Sequence, residues 1–79
     1  MEKFTVVLSV HNRYGVLNRI TGVYARRGYN IDSLSMETSN VEVYKIIISS
    51  KGDEYARTQV TRQLAKLHDV VEVELLCEN

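Results

Sequence analysis

The segment from Asn12 to Leu34 constrains the fold more than any other part of the chain, because it combines a turn, a helix and a strand. The turn is predicted at Gly15, and the helix is predicted to run to Arg27 before Gly28 takes a left-handed cap. The apolar stripe of this helix comprises Val16, Leu17, Ile20, Val23 and Tyr24. A helix that begins directly after a turn leaves its first backbone N–H groups without partners, and such groups bind anions. The segment therefore predicts a strand–helix–strand unit with a receptor for a carboxylate at the helix start.

The remaining elements are predicted from alternating or helical spacing of apolar residues. The strands are predicted over Phe4 to Val10, Asn30 to Thr38 with a bulge near Asp32 and Ser33, Val41 to Ser50, and Asp69 to Leu76. In the last of these strands, the residues expected to face the core are Val71, Val73 and Leu75. The second helix follows a cap at Asp53 and has the apolar stripe Ala56, Val60, Leu64 and Leu67. A two-residue turn, Ser39-Asn40, is predicted to join the second and third strands as an antiparallel hairpin.

The order of these elements is strand, helix, strand, strand, helix, strand. It predicts an α+β fold of the ferredoxin-like βαββαβ type, which is a four-stranded antiparallel sheet with two helices on one face. The strand after Gly28 is predicted to lie at an edge of the sheet. Because an edge strand has unpaired backbone groups and this one has few charges and no proline, we expect it to pair with a second copy of the chain.

Length, charge and cysteine content exclude several classes of protein. Seventy-nine residues suffice for one domain, taken as residues 1–79, and ten basic residues balance ten acidic ones, which argues against a nucleic-acid partner. No apolar run approaches the ~20 residues of a membrane span, and no signal peptide precedes the first strand, so we expect a cytoplasmic protein without a membrane partner. Because Cys77 is the only cysteine and no Cys/His cluster has zinc spacing, we expect no disulfide and no metal site.

Several stretches of the sequence are similar to those of one family. They are Asn12-x-x-Gly15-Val16-Leu17-x-Arg19-Ile20, Arg26-Arg27-Gly28-Tyr29-Asn30-Ile31-x-Ser33-Leu34, Lys51-Gly52-Asp53-Glu54, and Gln63-Leu64-x-Lys66-Leu67-x-Asp69-Val70. Together they resemble the ACT domain of acetohydroxyacid (acetolactate) synthase small subunits, over almost the whole chain from Phe4 to about Leu75. The run Arg-Gly-Tyr-Asn-Ile is the narrowest part of the resemblance.

The resemblance implies a regulatory subunit of acetolactate synthase that is not itself an enzyme. ACT domains of this family pair side by side as homodimers, and a small amino-acid effector binds at the seam. Carried onto this chain, the effector-binding residues are Asn12, Gly15, Val16 and Leu17 in the first loop, together with Asn30 and Ile31 at the strand start of the neighbouring copy. A branched-chain amino acid is the implied effector, with valine as the first candidate and feedback control of branched-chain amino-acid biosynthesis as its purpose. The implied partner is the catalytic large subunit, which would carry thiamine diphosphate, Mg and FAD, while this chain would carry no cofactor.

The chemistry of these side chains suits an amino acid. Gly15 permits a close approach of the backbone to a ligand. Asn12 and Asn30 each have an amide that accepts from an ammonium group and donates to a carboxylate. Leu17 and Ile31 would form an apolar wall for a branched side chain. An ordinary turn followed by a helix cap would also explain Gly15 and Asn12 without any ligand.

Three loop residues, His11, Arg13 and Tyr14, depart from the family pattern, and Arg13 and Tyr14 place bulk beside the expected pocket. Many relatives also continue into a second domain. A chain that ends at Asn79 resembles the short members, which are expected to activate the catalytic subunit with little sensitivity to an effector.

Two other functions remain open at this point. A stand-alone ACT-domain sensor would bind an amino acid and regulate a different enzyme. An acylphosphatase has the same order of elements and a first-loop arginine, a role for which Arg13 is the candidate. The pair Arg26-Arg27 would suit a phosphate or a partner protein, but the dipole at the helix end also explains these cations.

Overall fold

Four strands and two helices make up this protein, for which a computed structural model describes residues 3–38 and 40–78. The elements are β1 (Lys3–His11), α1 (Val16–Arg26), β2 (Ile31–Thr38), β3 (Val43–Lys51), α2 (Glu54–Ala65) and β4 (Val70–Glu78). All neighbouring strands are antiparallel, and their order across the sheet is β2-β3-β1-β4. The ferredoxin-like fold predicted from the sequence is therefore confirmed.

The core lies between the two inner strands and the two helices. Alternate residues of β1 and β3 point to the helix side and are fully buried, namely Phe4, Val6, Leu8, Val10, Ile46 and Ile48. The helices contribute Val16, Ile20, Val23 and Tyr24 from α1, and Ala56, Val60 and Leu64 from α2. Leu17 does not join this core, because it lies at the margin of the apolar stripe and is 37% exposed. Its assignment to the buried stripe was wrong.

The start of α2 and the end of α1 are as the sequence predicts, whereas α2 ends at Ala65, before Leu67 of its predicted stripe. The Asp53 carboxylate accepts a hydrogen bond of 2.9 Å from the backbone N–H of Ala56, which caps α2. At the end of α1, Gly28 has φ 72°, and the N–H of Tyr29 donates to the carbonyl of Tyr24 at 3.0 Å. This second pattern is a Schellman motif, which needs a residue in the left-handed conformation and so favours glycine.

The connection between β2 and β3 differs from its prediction. β2 ends at Thr38 and β3 begins at Val43, so four residues rather than two separate the strands. The Asn40 side chain accepts hydrogen bonds from the N–H groups of Glu42 and Val43, and this local ring lengthens the turn. Ser39, the other residue of the predicted turn, lies outside the described residues. Val41, which was expected to begin β3, is in the turn and is 87% exposed.

The start of β4 is also shifted from its predicted phase. Val10 pairs with Val70 while Ser9 pairs with Glu72, so Val71 is an extra residue in β4 at this point. As a result Val70 packs against the core and Val71 is 57% exposed, contrary to the expectation that Val71 is buried. The bulge predicted near Asp32 in β2 is confirmed by a register shift in its pairing with β3.

β2 is an edge strand, as predicted, and one of its long sides has no neighbouring strand in the described chain. Every residue of β2 after Ile31 is exposed. The exposed set includes Leu34 and Met36, which lie opposite the buried residues Ile48 and Ile46 on the helix side of the sheet. Helix α1 therefore leaves the outer margin of the sheet uncovered along β2.

The glycines give a direct test of this packing. A Cβ added to Gly52 would lie 2.7 Å from the Cβ of Ala56 and 3.2 Å from a ring carbon of Phe4, so Gly52→Ala should lower the free energy of unfolding by about 1–3 kcal/mol. Gly22, inside α1, has open space at the same position, so Gly22→Ala should raise it by roughly 0.5–1 kcal/mol. Urea unfolding at one protein concentration measures both changes. Equal effects of the two substitutions would contradict the close contact at Gly52.

Candidate functional site

The loop between β1 and α1 is a tight turn centred on Gly15. Gly15 has φ 82° and ψ −1°, the values that a type II turn requires at its third residue. The N–H of Val16 donates to the carbonyl of Arg13 at 3.3 Å and closes the turn. Only glycine adopts this backbone conformation without strain, so Gly15 fixes the direction in which α1 leaves the loop.

The start of α1 is open to a ligand. Gly15 caps the helix without a side-chain hydrogen bond, and the first turn contains no acidic residue. The N–H of Val16 is used by the turn, and the N–H of Arg19 donates to the carbonyl of Gly15 at 3.1 Å. The N–H groups of Leu17 and Asn18, between them, have no acceptor among the described residues. Together with the positive end of the helix dipole, these two N–H groups form a receptor for an anion.

Asp69 holds the loop in place, a role that sequence reasoning missed because its partners lie far from it along the chain. It is 3% exposed and lies 50 positions beyond Arg19, whose Nη1 donates to its Oδ2 at 2.9 Å. The Nε of Arg13 lies 3.3 Å from its Oδ1. The Asp69 carbonyl also accepts a hydrogen bond of 2.8 Å from the N–H of His11. The loop, α1 and the start of β4 are thus joined through one residue.

This arrangement accounts for the unusual loop residues Arg13 and Tyr14. Arg13 turns toward the Asp69 carboxylate, and Tyr14 is fully exposed. The Nε side of the Arg13 guanidinium faces the Asp69 carboxylate, which also binds Arg19, so Arg13 does not point alone into an open loop as the acylphosphatase alternative requires. That alternative therefore has no support from the loop geometry.

The six predicted site residues fall into two groups at opposite ends of the sheet. Asn12, Gly15, Val16 and Leu17 follow the end of β1, while Asn30 and Ile31 lie at the start of β2. Ile31 is level with Ser50 and Phe4 in the strand register, about seven residues or ~23 Å from His11 along the sheet. One copy of the chain therefore does not bring the two groups together.

A depression of about 330 Å³ lies beside the first group and is lined by His11, Asn12, Arg13, Val41 and Glu42. Its wall is fixed by a hydrogen bond of 2.8 Å from the N–H of Asn12 to the carbonyl of Glu42. In the second group, the Asn30 side chain donates to the Asp32 carboxylate at 3.1 Å and both residues are exposed. Asn12 and Asn30 thus both face solvent, where a ligand would reach them.

Other kinds of site find little basis in the geometry. Among residues 3–38 and 40–78, no three His, Cys, Asp or Glu side chains come close enough to hold a metal ion. In the same part of the chain, neither helix is long and apolar enough to cross a membrane.

The fold, with an uncapped helix start after the first strand and a bare edge at β2, is that of an ACT domain. A family described as AHAS small subunit-like ACT domain matches residues 6–72. The chain therefore belongs to the family of AHAS small subunit-like ACT domains, which is that of a regulatory rather than a catalytic subunit. The family predicted from the motifs is confirmed.

Relatives with curated names support the same conclusion. The chain is 37% identical over 76 residues to a probable acetolactate synthase small subunit of Methanothermobacter thermautotrophicus, covering 92% of this chain and 45% of the relative. It is 40% identical over 74 residues to the acetolactate synthase small subunit of Bacillus subtilis, covering 90% and 42% respectively. The crystal structure of the Thermotoga maritima small subunit superposes with a TM-score of 0.85 at 33% identity, covering 95% of this chain and 47% of that one. The chain thus spans just under half the length of these relatives.

The anchoring role of Asp69 leads to a prediction about stability. Asp69→Asn removes the charge that holds Arg13 and Arg19, so we expect the free energy of unfolding to fall by about 1–3 kcal/mol. Glu72→Gln is a matched control, because Glu72 is exposed and has no ion pair in the described part of the chain. Urea unfolding compares the two variants. If they are equally stable, the ion pairs do not anchor the loop.

Proposed function

We propose that this chain is the effector-sensing part of an acetolactate synthase small subunit, and that it binds a branched-chain amino acid between two copies. The observation that carries this proposal is the separation of the two groups of site residues across one sheet, beside an edge strand that is free to pair. A site assembled from two copies accounts for both features.

The topology specifies how two copies would meet. A strand that pairs with its own copy across a twofold axis perpendicular to the sheet is antiparallel to it. Pairing through β2 would therefore place the second copy's Asn30 and Ile31 beside the end of the first copy's β2. That end is level with Val10, since Thr38 pairs with Tyr44 and Tyr44 pairs with Val10. The first loop follows at the same end of the sheet, so each pair of copies would contain two complete sites.

The available groups match the parts of an amino acid. The N–H groups of Leu17 and Asn18 would bind its carboxylate, and Asn12 together with the second copy's Asn30 would hold its ammonium group. Leu17, which is exposed, and Ile31, which is half-buried against the core, would contact a branched aliphatic side chain. Valine has eight heavy atoms, and roughly 0.7–1 kcal/mol per atom gives a dissociation constant on the order of 1–100 μM. Such an affinity suits the detection of a metabolite.

Binding at the seam would couple the effector to the catalytic subunit. A ligand that contacts both copies stabilises the arrangement of the pair in which both halves of the site meet. If the catalytic subunit contacts the pair, it experiences that change, and a coupling of about 1–3 kcal/mol gives feedback control.

Substitutions at Gly15 test the anion receptor. Gly15→Asp should abolish binding of valine, because a carboxylate would occupy the place of the ligand's own carboxylate. Gly15→Asn is a matched control of nearly equal size that tolerates positive φ equally well, so it should weaken binding much less. Isothermal titration calorimetry with valine, leucine and isoleucine measures both variants. Equal binding by Gly15→Asp and the unchanged chain would refute the site.

A second prediction concerns the partnership with the catalytic subunit. Adding this chain to a cognate acetolactate synthase catalytic subunit should raise the rate of acetolactate formation and shift the elution volume in gel filtration. Asp69→Asn, which loosens the first loop, is mixed with the catalytic subunit in the same way. Comparing it with the unchanged chain shows whether contact with the catalytic subunit depends on an ordered loop. If neither the rate nor the elution volume changes on mixing, the chain regulates some other enzyme, as the stand-alone sensor alternative requires.

A further inference from the structure

The zero net charge of the chain conceals a basic helix layer. Between Gly15 and Gly28 the sequence has three arginines and no acidic residue, and between Tyr55 and Lys66 it has two arginines, one lysine and no acidic residue. These two segments contain almost all of α1 and α2, which cover the same face of the sheet. Apart from Glu54 at the start of α2, the acidic residues of the described chain lie on β2, on β4 and in the connections.

Most of these cations have no carboxylate partner. The ion pairs found in the described residues join Asp69 to Arg13 and Arg19. Arg26, Arg27, Arg62 and Lys66 are all exposed and form no ion pair in that part of the chain. Arg26 and Arg62 lie in the last turns of α1 and α2, and Arg27 and Lys66 follow at the caps, where the helix dipoles favour cations. The dipoles supply no carboxylate, so these four cations are available for ion pairs with a partner. Arg62 lies on the β4 side of α2, in a depression that Val73 and Leu75 also line. We call these four exposed residues of the helix layer the basic helix face.

Arg26 stands between two depressions in this surface. One, of about 270 Å³, is lined by Val23, Arg26, Arg27 and Gln63, and therefore lies between α1 and α2. The other, of about 440 Å³, is lined by Asn18, Arg19, Gly22, Arg26 and Leu67. Each depression combines guanidinium groups with apolar lining from Val23 or Leu67. Guanidinium groups bind carboxylates in bidentate fashion, and the apolar lining would accept the aliphatic part of an acidic side chain.

The structure assigns the basic helix face as the docking surface for a carboxylate-rich surface of the catalytic subunit, an inference that rests on the proposed function. Charge complementarity identifies the chemistry of this partner. A protein partner fits better than a nucleic acid, because Arg26 and Arg27 line depressions that also have an apolar lining, and apolar lining suits a side chain better than a phosphate. The zero net charge was a poor guide to this surface, since it averages over two sides of the molecule that differ in charge.

The position of the basic helix face is compatible with pairing of two copies. Pairing through β2 uses a lateral edge of the sheet, so the helices of both copies remain accessible on one side. The helix layer of one copy is about 17 Å long, since α1 and α2 have 11 and 12 residues. Two copies side by side would double the docking surface and bring it near the ~800 Å² per partner of a stable protein interface.

Charge reversal tests the assignment. The first variant combines Arg26→Glu with Arg27→Glu, and the second combines Arg62→Glu with Lys66→Glu. If one variant fails to fold, the other still tests the surface. The control combines Lys3→Glu with Lys51→Glu, which reverses two charges that lie opposite each other on the other face of the sheet. Biolayer interferometry measures the affinity of each full chain for the catalytic subunit between 50 and 300 mM salt. Circular dichroism verifies that each variant is folded, and calorimetry with valine measures effector binding.

We expect each helix variant to bind the catalytic subunit at least about tenfold more weakly, with a smaller dependence on salt, while the control stays within about twofold and effector binding is unchanged. If the unchanged chain binds the catalytic subunit and a folded helix variant binds equally well, the docking surface is wrong and the proposed function stands. If the unchanged chain does not bind the catalytic subunit but binds duplex DNA or single-stranded RNA in the same assay, both the docking surface and the proposed function are overturned.

Discussion

The direction of the strands is the constraint on which the proposed site depends. β1 and β2 both run from the same end of the sheet, so the residues that follow β1 and those that precede β2 are separated by the length of a strand. No change of side-chain rotamer closes a gap of about 23 Å. Any ligand that needs both groups therefore requires a second chain, and the bare edge of β2 provides the place where that chain would attach.

In the proposed site, the first loop would have to hold its N–H groups in position before a ligand arrives. Asp69 does this through two arginines and a backbone carbonyl, and it is buried although it is charged. Removing a buried carboxylate from its cations leaves an uncompensated charge, so the arrangement has one strongly preferred state. A loop fixed in this way loses little conformational entropy when it binds, which favours affinity for a small ligand.

Most features determined by neighbouring residues were predictable from the sequence, with the turn between β2 and β3 as the exception, whereas features determined by distant residues were not. The caps at Asp53 and Gly28 and the bulge near Asp32 depend on local hydrogen bonds and backbone conformation, and they were predicted correctly. The turn between β2 and β3 was wrong because the Asn40 side chain replaces strand pairing with a local ring.

Three further differences have causes that apolar spacing alone does not reveal. The prediction for Val71 was wrong because the bulge there depends on register against β1, whereas Val73 and Leu75 lie opposite the core residues Leu8 and Val6, in the predicted phase. Leu17 is exposed because it lies at the margin of the apolar stripe of α1, and the role of Asp69 depends on contacts across 50 positions. The loop half of the site, including Gly15 and the helix start, was predictable because turn chemistry is local. The pairing that would complete it depends on a second molecule.

Mixing two defective variants tests most directly whether the site is shared. In homodimers, Gly15→Asp disables the loop half of both sites and Asn30→Ala weakens the strand half of both. A mixed dimer would contain one doubly altered site and one site with both halves intact. Calorimetry with valine should therefore show negligible binding for Gly15→Asp and weak binding for Asn30→Ala. The equimolar mixture, after subunit exchange, should regain full-affinity binding at about one quarter of the original number of sites. If the mixture binds no better than the average of its components while the unchanged chain binds valine, the two groups of residues do not form one site across two copies.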